Sequence, residues 1–154
     1  MKPKVIFLSV VVTWVGLAPS SVAETGDPWL GTWKMNIAKS LFNPGPAPTG
    51  PGGTVTFEAW GDGIQRTNPD PKGVTYAAKY DGKDYPVKNN PNADTISFRR
   101  VNAYTYELTT KLKGEVKGVN RGMVTSDGKT RVVITIGKNA KGDDFANLEW
   151  FERQ

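Results

Sequence analysis

Hydrophobic and polar residues alternate along most of this chain. Val55, Phe57 and Ala59 alternate with Thr54, Thr56 and Glu58. Val74, Tyr76, Ala78 and Tyr80 repeat the rhythm, and Ile96 and Phe98 do so ahead of Arg100. Tyr104, Tyr106, Leu108, Thr110 and Leu112 stand against Thr105, Glu107, Thr109 and Lys111. Val132, Ile134 and Ile136 form another stripe, and Ala146, Leu148 and Trp150 the last. A period of two sends successive side chains to opposite faces, so each run predicts a strand with one buried face. The segment Trp29–Met35 suits a first strand, and Asn36 can cap a single turn through Ile37–Phe42.

Turn chemistry separates these runs. Asp62-Gly63, Asp81-Gly82 and Asp127-Gly128 favour the positive φ of tight hairpins. The stretches Asn68–Gly73, Asn89–Asn92, Val101–Ala103, Lys113-Gly114 and Lys141-Gly142 supply further turns. Local hairpins make the sheet antiparallel, and closing so long a meander removes its exposed edges. The expected fold is all-β: an antiparallel up-and-down barrel of about eight to ten strands, with a two-sheet sandwich as the alternative. One long connection stands out. Pro44, Gly45, Pro46, Pro48, Gly50, Pro51, Gly52 and Gly53 forbid regular structure over residues 43–53. That loop is either a stiff crossover or a lid over a barrel mouth.

The N-terminus does not belong to this pattern. Lys2 and Lys4 precede an apolar stretch from Val5 to Ala18, and Pro19–Ala23 ends it with small residues. Residues 1–23 therefore read as a secretory signal peptide cleaved near Ala23, too short in its apolar run for a span of roughly 20 residues. Residues 24–154 form a single barrel domain on this reading. The expected location is a bacterial periplasm or the medium, with no stable membrane span after cleavage.

Composition then narrows the chemistry. The 154 residues include no Cys and no His, so thiol nucleophiles, Cys- or His-bound metals and His-based triads are excluded. Loss of the leader lowers the formal charge from +5 to +3, and Lys and Arg are interspersed with Asp and Glu. That describes a solvated surface rather than a nucleic-acid stripe. The carboxylates Asp81, Asp84, Asp127, Asp143 and Asp144 fall at turns, whose preferences explain them. No catalytic residue, metal site or cofactor is expected.

Gly31-Thr32-Trp33, opening an all-β chain, resembles the Gly-x-Trp motif of the calycin superfamily, which includes lipocalins and fatty-acid-binding proteins. The resemblance implies that Trp33 closes the barrel floor, that Arg153 packs over it as a covering cation, and that Gly31 lets the backbone pass closely. Thr54–Gln65 looks like the second and third strands of fatty-acid-binding proteins, and Trp150–Arg153 like their closing strand. The chain also resembles a group of small exported bacterial proteins of unassigned activity over Gly31–Phe42, Pro44–Pro48 and Ala78–Asp94. It departs from fatty-acid-binding proteins in two ways. Residues 37–53 are too few for two lid helices, and Glu149 and Phe151 occupy the positions of their carboxylate-binding Arg-x-Tyr pair.

The candidate ligand-binding residues are Tyr76, Phe98, Arg100, Tyr106, Arg121 and Phe151, with Tyr104 a further aromatic on a strand. Aromatics on inward faces either fill a small barrel or line a cavity. Arg100, Arg121 or Arg131 could replace the missing cation if one points inward. Residues 116–124 present Val116, Gly118, Asn120, Gly122 and Val124 on one face; those glycines face a cavity or make room for a bulky neighbour such as Trp150. The expected function is an exported binding protein holding a small apolar or amphipathic molecule in a barrel pocket. The alternatives are a filled-barrel interaction or inhibitor module, using the Pro-rich loop and exposed Trp29 or Trp60, and a cofactor-free isomerase or cyclase that needs a buried Glu149.

Overall fold

A computed structural model describes residues 26–50, 52–139 and 141–154. The leader assigned to residues 1–23 lies outside the described residues. Among those described, eleven strands form: β1 (Gly31–Met35), β2 (Leu41–Asn43), β3 (Thr54–Trp60), β4 (Gly63–Thr67), β5 (Thr75–Lys79), β6 (Asp81–Lys88), β7 (Thr95–Asn102), β8 (Thr105–Leu112), β9 (Glu115–Val124), β10 (Thr130–Lys138) and β11 (Asp144–Arg153). Every pairing is antiparallel, and β1 pairs with both β3 and β11. Ten strands thus close an up-and-down barrel, and β2 lies outside it.

The strand β2 differs from the single turn expected through Phe42. Asn36 does cap a turn, its side chain accepting from the Lys39 amide, but the turn is a 3-10 helix ending at Lys39. Ser40 then bonds back: its hydroxyl donates to the Asn36 carbonyl and accepts from the Trp150 amide. The chain resumes as β2 alongside the first half of β11, whose second half is paired with β1. Asp81-Gly82 turns the chain as expected: the register of β5 with β6 centres between the two residues, Gly82 has φ +73°, and the Lys83 amide donates to the Asp81 carboxylate, while the pairing of β6 with β7 slips between Asp81 and Asp84.

The core is aromatic and concentrated at one end. Trp29, Trp33, Phe98 and Tyr106 are buried there, with Trp29 and Tyr106 edge to face at 4.3 Å between centroids and Phe98 and Tyr106 at 4.6 Å. Trp29, expected as an exposed contact residue, is corrected to a floor residue: the segment before β1 folds across the barrel end, and the Trp33 indole donates to the Trp29 carbonyl at 3.1 Å. Gly122 makes room for Tyr106, not Trp150; a Cβ at that glycine would lie 2.5 Å from the tyrosine ring.

Two apolar stripes face the opposite way from expectation. On β10 the inward residues are Arg131, Val133 and Thr135, and Ile134 and Ile136 are exposed. On β11 they are Phe145, Asn147, Glu149 and Phe151, so Ala146, Leu148 and Trp150 lie outside. The outward stripes are cross-strand partners, Val132 with Trp150, Ile134 with Leu148 and Ile136 with Ala146. Adjacent apolar side chains shield one another on an outer wall. Val116 is likewise 56% exposed, because a slip between Thr110 and Lys111 shifts the facing by one residue and turns Lys117 toward the cavity.

Candidate functional site: a cavity with two inward arginines

The floor resolves the Gly-x-Trp motif in physical terms. Trp33 is completely buried, and the Arg153 guanidinium lies 4.2 Å from its ring centroid. Arg153 donates to the carbonyls of Pro28, Leu30 and Gly128. It therefore ties the entry segment and the β9–β10 turn to the end of β11. Gly31 is needed twice over: its φ is +114°, and a Cβ would sit 2.6 Å from Arg153 Nη1. Nearby, Arg100 bonds the Asp27 carboxylate and donates to the Tyr80 hydroxyl at 2.8 Å. Burial beside these groups pushes the Tyr80 hydroxyl up to about 12, so it stays a neutral acceptor.

Above this floor lies a cavity of about 320 Å³. Its mouth is marked by the exposed Asn92 and Lys138. Val55, Val74, Ile96, Leu108 and Val133 give it apolar walls, and Tyr76, Tyr106, Phe57 and Phe151 surround its deep end. Asn120 and Thr135 bond one another on the wall. Gly53 lines the cavity, but residues 43–50 of the expected lid are exposed and outside the lining.

Two cations reach into this space. Arg131 is 3% exposed, and its guanidinium lies 3.9 Å from the Phe151 ring centroid, 4.9 Å from Phe57 and 5.7 Å from Trp33. Among the described residues, Nε and Nη1 of Arg131 and Nε of Arg66 are buried with no acceptor. Arg66 enters from β4, 5.9 Å from the Tyr76 ring. Glu149 lines the same cavity; burial raises its pKa, against the pull of Arg131 and Arg66. Burial also lowers the pKa of Arg131, and lifts the hydroxyls of Tyr76 and Tyr106 further from ionisation.

Of the residues singled out from the sequence, Tyr76, Tyr106 and Phe151 line the cavity. Phe98 is buried in the floor cluster below it. Arg100 points inward but is bound to Asp27 and Tyr80. Arg121 is corrected to the outer wall, exposed near Glu107, because β9 turns Asn120 and Gly122 inward. Tyr104 is exposed at the β7–β8 turn. Arg66 and Asn147 escaped sequence reasoning. Arg66 follows Ile64 on β4 at a spacing of two, which placed it on the inward face of a buried strand. No family model, curated protein or solved structure matches the chain.

Proposed function

We propose that this protein is an exported, calycin-like binding barrel that holds a small apolar or amphipathic molecule in its interior. The observation that carries the reading is the cavity itself. A filled barrel has no need of about 320 Å³ of space lined by Tyr76, Phe151, Leu108 and Val133. Ligand sites are concave, mostly apolar and supplied with a few polar groups, with volumes of roughly 300–1,000 Å³. The Arg153–Trp33–Gly31 floor supports the calycin-like part of the proposal, and the apolar leader supports export.

Glu149 facing the cavity favours a proton-transfer enzyme as the second reading. Acid–base catalysis needs partners within hydrogen-bond reach. Among the described residues no hydrogen-bond partner reaches the Glu149 carboxyl, which feels burial and the charges of Arg131 and Arg66, so binding is preferred. The test is native mass spectrometry of protein purified from its own cell envelope, followed by organic extraction. A stoichiometric apolar or amphipathic adduct is expected. A protein that stays empty, and takes up no hydrophobic probe when one is supplied, defeats the reading.

A further inference from the structure

The cavity holds more positive charge than the protein neutralises. Its inward ionisable groups are Arg66, Arg131 and Glu149, a net of one positive charge. Burial keeps Tyr76 and Tyr106 protonated, so neither supplies a counter-charge. Lys117 and Lys138, toward the mouth, are each paired, with Glu115 and Asp144. Arg131 is the decisive group. Phe57, Phe151 and Trp33 stabilise a cation by their ring faces but accept no hydrogen bonds in the plane of a guanidinium. Its Nε–H and Nη1–H are left without acceptors among the described residues. A buried charge is normally paired and hydrogen-bonded, and a buried donor without a partner is costly. Arg153 obeys that rule in the same molecule, and Arg100, though its Nε also lacks an acceptor, is paired with the Asp27 carboxylate.

We propose that the cavity takes a singly charged anionic amphiphile: one carboxylate or equivalent monoanionic head on an apolar body. The inference rests on the binding-barrel reading above. The head descends to Arg131, which can offer two parallel N–H groups to a planar anion, with Arg66 adding a second cation from the opposite wall. The body lies toward the mouth along Val55, Val74, Leu108 and Val133. One excess positive charge matches one negative charge; a dianion would leave the interior negative. The apolar walls exclude a bare inorganic ion as the fitting occupant.

The experiment is calorimetric titration of the folded protein with three probes of equal chain length: decanoate, 1-decanol and decylamine. Decanoate should bind roughly 10- to 100-fold more tightly than 1-decanol, and decylamine should not bind. Decane-1-sulfonate should behave as decanoate does, since the shared chemistry is a single negative charge. Arg131→Met should erase the preference for decanoate over 1-decanol. A second measurement needs no variant: the carboxyl carbon of 13C-labelled decanoate, followed by NMR, should titrate lower when bound than when free. Equal affinity for decanoate and 1-decanol, or an unshifted carboxyl titration, overturns this inference and leaves the binding barrel standing. Failure of every probe to bind overturns both.

Discussion

Arg153 and Arg131 both lie against Trp33, at 4.2 Å and 5.7 Å from the ring centroid, yet their surroundings differ in kind. Arg153 meets three backbone carbonyls from two separate loops. Arg131 meets rings, with buried N–H groups facing no acceptor. The first arrangement satisfies a cation and fastens the barrel shut. The second holds a cation ready for something else. A guanidinium's role is thus read from what its donors reach, not from the Trp33 ring that the two share. The floor and the cavity above it are neighbouring regions optimised for different ends, one for stability and the other at some expense to it.

The largest expected effect lies at the floor. Arg153→Met removes the cation over Trp33 and leaves the carbonyls of Pro28, Leu30 and Gly128 without their donors. Urea unfolding should show a loss of about 2–4 kcal/mol. Gly31→Ala attacks the same contact from the other side. It forces a side chain into φ +114° and against Arg153 Nη1, and should cost about 1–3 kcal/mol. Arg131→Met should move stability the other way. Removing a buried, unpaired charge while keeping most of its volume outweighs the lost ring contacts, so a gain of about 1 kcal/mol is expected by thermal and urea unfolding. A loss comparable to that of Arg153→Met would erase the distinction between the two arginines.

Much of this comparison was legible in the sequence, and the part that was not has a definite cause. Alternation and turn residues sufficed for the barrel strands but not for β2, because hairpin geometry and period-two burial are local properties and β2 is defined by its distant partner β11. The floor was legible from Gly31, Trp33 and Arg153. The cavity's polar lining was obscured by the rule that the more apolar face of a strand points inward. On β10 and β11 that rule selects Ile134, Ile136, Leu148 and Trp150, all on the outer wall. A barrel that keeps polar groups inside can carry its apolar stripes outside, where cross-strand neighbours flank them and the Asn36–Ser40 turn covers Trp150. Lys39 lies over Trp150 at 5.5 Å, for example. The correct facing was implicit in Arg153: if it covers an inward Trp33, then Phe151, Glu149 and Asn147 must share its face. Arg121 and Arg131 differ for the same reason, since only the local register decides which of them enters the barrel.

A pH titration sharpens the comparison from the acidic member of the cavity. Burial raises the Glu149 pKa in the folded state above the ordinary value of 4.5, and Arg131 and Arg66 only partly oppose it. Well below 4.5 both folded and unfolded states are protonated at this residue, and it adds no pH dependence. As pH climbs from that value to the raised folded one, the unfolded chain loses its proton first, so this group makes stability fall. Above the folded value the penalty is constant. Glu149→Gln should therefore gain stability relative to wild type as pH rises from 4 toward neutrality, read by urea unfolding across that range. A difference that stays flat, or shrinks, would mean that the cavity cations already neutralise Glu149 and that Arg131 is less free than its geometry indicates.

The smallest effect belongs on the outer wall. Ile136 is 62% exposed on β10, next in line to the inward Thr135, and its cross-strand partners are Val119 and Ala146. Replacing it with threonine keeps β-branching and strand propensity while removing apolar surface that is mostly in water already. Stability should change by less than about 0.5 kcal/mol, and affinity for decanoate should not change. Thr135→Val, one residue earlier, supplies the matched inward change: it deletes the hydroxyl bonded to Asn120 Oδ1 inside the cavity. Calorimetry should detect altered binding for Thr135→Val and none for Ile136→Thr. If instead the outer substitution alters binding and the inner one does not, the ligand lies on the outer wall, and the apolar stripes of β10 and β11, not the arginines inside, are the functional surface.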